Sequence, residues 1–156
     1  MNAVLRPDTT RIDYAPMLVE DLESVLAAER RIYGFPWTRG NFEDSLASGY
    51  SSWLMREGKQ LLGYAVMMRI HDEVHLLNIS ILPERQHAGL GSGLLRYMCA
   101  EARSHGAVRM ILEVRQSNGP GREFYGRHGF AQIGERPDYY PAQHGREAAL
   151  VLEKKI

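Results

Sequence analysis

Gly89, Gly91 and Gly93, behind Gln86 and just ahead of Leu94 and Leu95, are the residues whose spacing says most about what this chain can do. Glycine carries no Cβ, so a ligand can approach its backbone closely, and these three fall where a helix begins. First-turn amides have no intrahelical partner and sit at the positive end of the helix dipole, which suits the segment to a pyrophosphate. Two familiar phosphate cradles are excluded by the letters themselves. No Gly-Lys-Ser/Thr follows, and Gly89-x-Gly91-x-Gly93 lacks the spacing of the dinucleotide fingerprint.

Such a turn works only between elements that hold it. From Leu76 to Leu82 the chain is apolar except at Asn78 and Ser80, which predicts a strand buried on both faces and so central in its sheet. Leu90, Leu94, Leu95, Met98 and Ala102 form one stripe of a helix from about Leu90 to Ser104, which Gly106 stops. Upstream, the pattern predicts a strand over Arg11 to Met17 after a short polar start that frays. A helix follows from Val19 to Tyr33 on Leu22, Val25, Leu26 and Ile32, then a break at Gly34, Phe35 and Pro36. Thr38 caps a second helix reaching about Ala47. Ser51 to Arg56, Leu61 to Ile70 and Glu73 to Leu82 read as an antiparallel meander joined by short turns. Val108 to Arg115 is the next strand, parallel to its predecessor because a helix crosses between them. A helix from about Pro120 to Arg127 and strands over Gly129 to Glu135 and Glu147 to Glu153 complete the pattern, with Arg136 to Pro141 as a turn-rich connection.

A chain of 156 residues of ordinary apolar content predicts one domain spanning residues 1–156. Its 19 basic and 19 acidic residues are interspersed, so no global field gathers nucleic acid or an anionic membrane, and neither is expected as a partner. Cys99 is the only cysteine and sits mid-helix among apolar neighbours, which predicts a buried structural thiol rather than a covalent acyl carrier. It also leaves no internal disulfide framework, and with no long apolar run the expected address is cytoplasmic. No metal is expected: His71 and His75 would meet one only on a helix, and their segment reads as strand.

Gln86-x-x-Gly89-x-Gly91 behind a strand resembles the acetyl-CoA-binding motif Q/R-x-x-G-x-G/A of the GNAT N-acetyltransferase superfamily, and the order βααβββαβαββ matches that family over nearly the whole chain. Leu112-Glu113-Val114-Arg115-Gln116-Ser117-Asn118, followed by Phe124-Tyr125 and Gly129-Phe130, resembles signatures of its RimI-type branch, the ribosomal-protein-alanine N-acetyltransferases. Phe35-Pro36-Trp37-Thr38, Arg136-x-x-Tyr139-Tyr140-Pro141 and Gly145-Arg146-Glu147 extend that resemblance, whereas Ala148 stands where the branch usually has aspartate.

The resemblance implies an α/β (α+β) fold with a mixed, mostly antiparallel central sheet, one splayed parallel pair, and helices on both faces. It implies acetyl-CoA as co-substrate and a protein N-terminus as acceptor, specifically the N-terminal alanine of a small-subunit ribosomal protein. Backbone groups of Ile79, Ser80 and Ile81 would meet the acetyl end, serving as amide donors to an oxygen that gains charge. Their side chains read as plain core. Gln86, His87, Ala88, Gly89, Leu90, Gly91 and Ser92 would wrap the pyrophosphate, with Arg85 nearby as an aid, and His87 reads equally as a solvated loop residue. Relatives often carry arginines where this chain has His87 and Ala88, so amides must contribute more.

Within the same resemblance Glu113 is the general base, Asn118 a cofactor ligand and Tyr125 the general acid. A carboxylate suits the task, because an ammonium has no lone pair until a proton leaves. The alternative for Glu113 is a structural ion pair with Arg109 or Arg115 on its own strand face; for Tyr125, core packing; for Asn118, a helix cap, a role for which Ser117 competes. A phenol near pKa ~10 protonating a thiolate near ~8.5 works uphill by about 2 kcal/mol, so hydrogen bonding to the departing sulfur is the firmer role for Tyr125. Tyr139 and Tyr140 are candidate contacts to an extended acceptor segment, or else stabilise their own loop.

An α-amine near pKa ~7.8 is roughly a quarter neutral at physiological pH, against about 0.1% for an unperturbed lysine, which favours an N-terminal acceptor. The competing readings are a transferase acting on a lysine or a small-molecule amine, and a non-catalytic acyl-CoA-binding module.

Overall fold

Leu22, Val25 and Leu26 recur with helical spacing and are buried on the inner face of α1 (Leu22–Ile32). The computed structural model describes residues 11–156, so the fraying expected of the polar start falls outside the described residues. The first turn expected of α1 is instead a separate 3₁₀ turn over Val19–Asp21, where the Asp21 carboxylate accepts from the Leu18 amide at 2.8 Å. At its other end the helix stops one residue short of expectation: Tyr33 adopts extended backbone and turns away. Thr38 caps α2 (Arg39–Ala47), its hydroxyl accepting from the Asn41 amide.

Among the described residues, seven strands form one sheet. They are β1 (Ile12–Pro16), β2 (Ser51–Glu57), β3 (Gln60–Ile70), β4 (Glu73–Ile81), β5 (Arg109–Arg115), β6 (Ala131–Pro141) and β7 (Arg146–Lys155), in the order β1-β2-β3-β4-β5-β7-β6. Every neighbouring pair is antiparallel except β4 and β5, the pair joined by the crossover helix α3 (Leu90–Ser104). One core cluster packs Leu94, Leu95, Met98, Cys99 and Ala102 of α3 against the sheet; the other packs α1 and Phe42 of α2 against Leu54, Tyr64 and Val66. The sheet is thus covered on both faces, and Cys99 is buried and free, with burial pushing its thiol up.

Two irregularities shape the site. Between Leu76 and Asn78 the pairing of β4 with β3 skips Leu77, a bulge that inverts which side chains face each core: Val74 and Leu76 join the α3 cluster, and beyond the bulge so do Ile79 and Ile81. The parallel pairing of β4 with β5 ends at Leu76 and Leu112, although both strands continue. Past that point the two separate, which is the expected splay.

The connection expected over Arg136 to Pro141 is instead strand, and the turn lies at Ala142 to Gly145. β6 is the outermost strand, so Pro141 can pair with Arg146 there without the amide hydrogen it lacks, and a register break between Arg136 and Tyr140 absorbs Pro137 and Asp138, the latter at φ 50°. Residues typical of a loop are here accommodated by a bulged edge strand.

Candidate active site

A cleft of about 510 Å³ opens along the separated end of β4. Ile79, Ser80, Ile81, Gln86, His87, Gly89, Gly91, Ser92, Asn118 and Tyr125 all line it, which brings together most of the residues singled out for the cofactor. Ala88 and Leu90 do not line it; Leu90 packs toward the α3 core.

The loop into α3 is shaped by backbone conformation. Gln86 donates from Nε2 to the Ile81 carbonyl at 3.0 Å, and His87 and Gly89 take positive φ of 63° and 80°. Gly89 has open space around it, so glycine is needed there for its left-handed backbone rather than for clearance. The first α3 bond runs from the Gly93 amide to the Gly89 carbonyl at 3.3 Å, leaving the preceding amides as helix-start donors. Ser92 instead meets His128 Nε2 at 2.8 Å. Arg85 does not serve the cleft: its guanidinium is engaged by Glu57 at 3.1 Å. Among the described residues, the arginine that lines the cleft is Arg127.

Asn118, not Ser117, caps α4 (Gly119–Arg127), with Oδ1 accepting from the Gly121 amide at 2.9 Å. A Cβ on Gly121 would stand 2.5 Å from Asn118 Nδ2, so the glycine makes room for the cap. Ser117 turns elsewhere, its amide and hydroxyl both donating to Glu147. Tyr125 is half-buried between Phe124 and Phe130, and its hydroxyl has no hydrogen-bond partner among the described residues. Burial pushes that phenol well above its ordinary range. Donating its proton outright is therefore further uphill than in a free tyrosine, whereas donating a hydrogen bond remains open.

Glu113 lies on the other side of the splay. With Tyr139, Tyr140, Trp37 and the Leu76 and Leu77 bulge it lines a smaller cleft of about 200 Å³. Glu113 does form an ion pair, but not with the arginines of its own strand. Arg109 is held by Glu73 and Glu153, and Arg115 by Glu147 and the Pro141 carbonyl. Glu113 Oε1 instead meets Arg136 Nε at 3.4 Å, from the segment expected to be a turn. Burial and the adjacent Glu113 carboxylate push the Tyr139 phenol up, and burial with the same carboxylate raises Tyr140 to about 12. The Arg115 guanidinium lies between the rings of Phe35 and Tyr140, at 5.1 and 4.5 Å from their centroids, tying the loop after α1 to the β6 edge.

Several residues at this site are silent in the sequence. Glu29 is 1% exposed, and its oxygens accept from the Tyr64 hydroxyl at 2.7 Å, Asn78 Nδ2 at 3.1 Å and the Trp37 amide at 2.9 Å. Ser80 donates to Asn78 Oδ1, so its side chain belongs to a polar chain rather than plain core. One signal was available: Glu29 stands seven residues after Leu22 and three after Leu26, on the apolar stripe of α1. No cluster of three or more histidine, cysteine, aspartate or glutamate side chains among the described residues could hold a metal, and no helix there is long and apolar enough to cross a membrane.

Residues 22–130 match the model of the acetyltransferase (GNAT) family. The ribosomal protein bS18-alanine N-acetyltransferase of Escherichia coli is 31% identical over 136 residues, covering 87% of this chain and 92% of the relative. The enzyme of the same name from Haemophilus influenzae is 33% identical over 133 residues, covering 85% and 90%. The crystal structure of the ribosomal-protein-S18-alanine N-acetyltransferase from Escherichia coli superposes with a TM-score of 0.87 at 29% identity, covering 94% of each chain.

Proposed function

The chain belongs to the acetyltransferase (GNAT) family, and on that premise we propose that it transfers the acetyl group of acetyl-CoA to the N-terminal α-amine of a protein, by direct attack in a ternary complex. The acceptor is the N-terminal alanine of a small-subunit ribosomal protein, a reading supported by relatives named for the alanine of ribosomal protein bS18. Acetyl-CoA and such an acceptor share the cytoplasm, where we place the reaction.

The observation that carries this reading is the parting of β4 from β5 beyond Leu76 and Leu112. It sets a cleft with a glycine-rich helix start on one side of the sheet opening and the Glu113 carboxylate on the other. The cleft fits the co-substrate by its own chemistry: helix-start amides for a diphosphate, an open strand for an arm, and the Tyr125 hydroxyl, which has no partner among the described residues. Bound there, acetyl-CoA supplies an acetyl group activated as a thioester.

Each residue then has a defined task. Glu113 accepts the proton that the acceptor's ammonium must lose, directly or through one water. Amides of Ile79 and Ile81, the residues whose carbonyls meet Tyr33 and Gln86 on the cleft edge of β4, stabilise charge developing on the carbonyl oxygen, while the peptide of Ser80 faces β3. Tyr125 hydrogen-bonds the departing sulfur, its raised pKa keeping the phenol protonated across the working range. Tyr139 and Tyr140 flank the acceptor's first residues.

Incubation with acetyl-CoA and a panel of N-terminal peptides, lysine peptides with blocked termini and small amines, read by mass spectrometry, tests the proposal. Acetylation of free alanine termini is the expected result; modification confined to lysine or small amines would reassign the acceptor, and none with any amine would leave a binding module.

Asn118 separates capping from ligand binding. Asn118→Asp keeps the acceptor that the Gly121 amide needs, so thermal stability should hold, since aspartate caps as well as asparagine. It removes the amide donor and adds a negative charge beside the diphosphate. Calorimetry should show CoA bound about ten- to a hundredfold more weakly, a loss of the size expected for a hydrogen bond to a charged group. Unchanged affinity would leave Asn118 a cap alone.

A further inference from the structure

Tyr33 ends a hydrogen-bond chain whose direction can be fixed by counting protons. The oxygens of Glu29 receive three donors, so Asn78 must present Nδ2 to Glu29 and Oδ1 to Ser80. Ser80 Oγ therefore spends its only proton on Asn78, at 2.7 Å. The Tyr33 hydroxyl stands 2.6 Å from Ser80 Oγ, and only the tyrosine proton is left to make that contact. The Ile79 carbonyl, 3.2 Å from the same hydroxyl, is then the lesser partner and keeps accepting capacity. At the end of α1, beside β4, stand two oxygen acceptors side by side, and both Tyr33 and Ile79 line the large cleft. Leaving α1 one residue early is what turns the Tyr33 ring toward β4.

Two acceptors so close attract an N–H and repel a carbonyl or phosphate oxygen. We propose that Tyr33 is a binding residue for the co-substrate's arm: its phenol oxygen and the Ile79 carbonyl together receive a secondary-amide N–H of that arm, in a polarity imposed by buried Glu29 through Asn78 and Ser80. This rests on the acetyl-CoA reading of the cleft and deepens it. Burial also pushes the Tyr33 phenol up to about 12, so its proton stays in place and the chain keeps its direction at any working pH.

The experiment compares two probes by calorimetry on the full chain: CoA, and the nucleotide half of CoA, which ends at the diphosphate and carries no amide. Tyr33→Phe should weaken CoA about three- to tenfold, the value of one hydrogen bond, and leave the nucleotide half unchanged. Ser80→Ala should do the same, because the Tyr33 proton then turns to Ile79 and removes the vacant acceptor. Equal CoA affinity in parent and Tyr33→Phe overturns the inference, and so does an equal loss for both probes. Failure of the parent to bind CoA overturns the functional reading itself, and is distinguished by the parent measurement alone.

Discussion

Glu113→Gln is expected to lower turnover about 10²–10⁴-fold near neutral pH, the range general-base removal produces, while CoA affinity stays within a factor of about two. Glutamine preserves shape but cannot accept a proton from an ammonium, so the variant depends on acceptor that is already neutral. That fraction rises about tenfold per pH unit below the acceptor's pKa of ~7.8 and levels off above it. The gap between parent and variant should accordingly narrow from about pH 6.5 to about pH 9, followed by thiol release at saturating peptide. Unfolding cannot mimic this: Arg136, the ionic partner that glutamine loses, is 54% exposed at its side chain, and exposed pairs of this kind contribute about 0–1 kcal/mol. A constant ratio between the two profiles would remove Glu113 as base and leave it a structural anchor for Arg136.

What the sequence disclosed about this site follows a physical divide. Gly89 and Asn118 were legible because each answers a local backbone requirement: a left-handed residue before a helix, and an oxygen three positions ahead of an amide. Their partners are neighbours in the chain, so type and spacing carry the information. Glu29 and Arg136 act across distance. The carboxylate of Glu29 meets groups 35 and 49 residues away, and nothing near position 29 records that a charge on an apolar stripe is matched by Tyr64 and Asn78. Arg136 reaches Glu113 only because residues rich in turn formers become an edge strand, a result of β7 offering its pairing groups rather than of local preference. The same logic covers the fold. The meander of β2 to β4 and the crossover to β5 could be read from connection lengths, whereas the place of β7 between β5 and β6 could not, and the Leu77 bulge, which decides that Ile79 and Ile81 face the α3 core, leaves no mark in an apolar run.

Gly63 carries the second large effect, and only the folded chain reveals it. It lies on β3 opposite Ile81, and a Cβ there would come 2.5 Å from the Ser80 carbonyl oxygen and 2.7 Å from Ile81 Cδ1. The nearer of these is backbone, which has no rotamer to turn, so Gly63→Ala must push β4 away from β3 at the residues that would stabilise the reacting carbonyl. Overpacking of this kind costs about 1–3 kcal/mol, visible as a lower melting temperature. The effect on rate should be far larger, because a displacement of about 1 Å at a reacting centre can cost about 10²-fold. Turnover measured well below the variant's melting temperature, where the unfolded fraction is negligible, should fall by about that factor. The acceptor-side carboxylate is untouched, so the pH profile should keep the parent's shape, unlike that of Glu113→Gln. An alanine variant that melts early yet turns over at the parental rate would mean that the amides of Ile79 and Ile81 are not the groups that hold the developing charge.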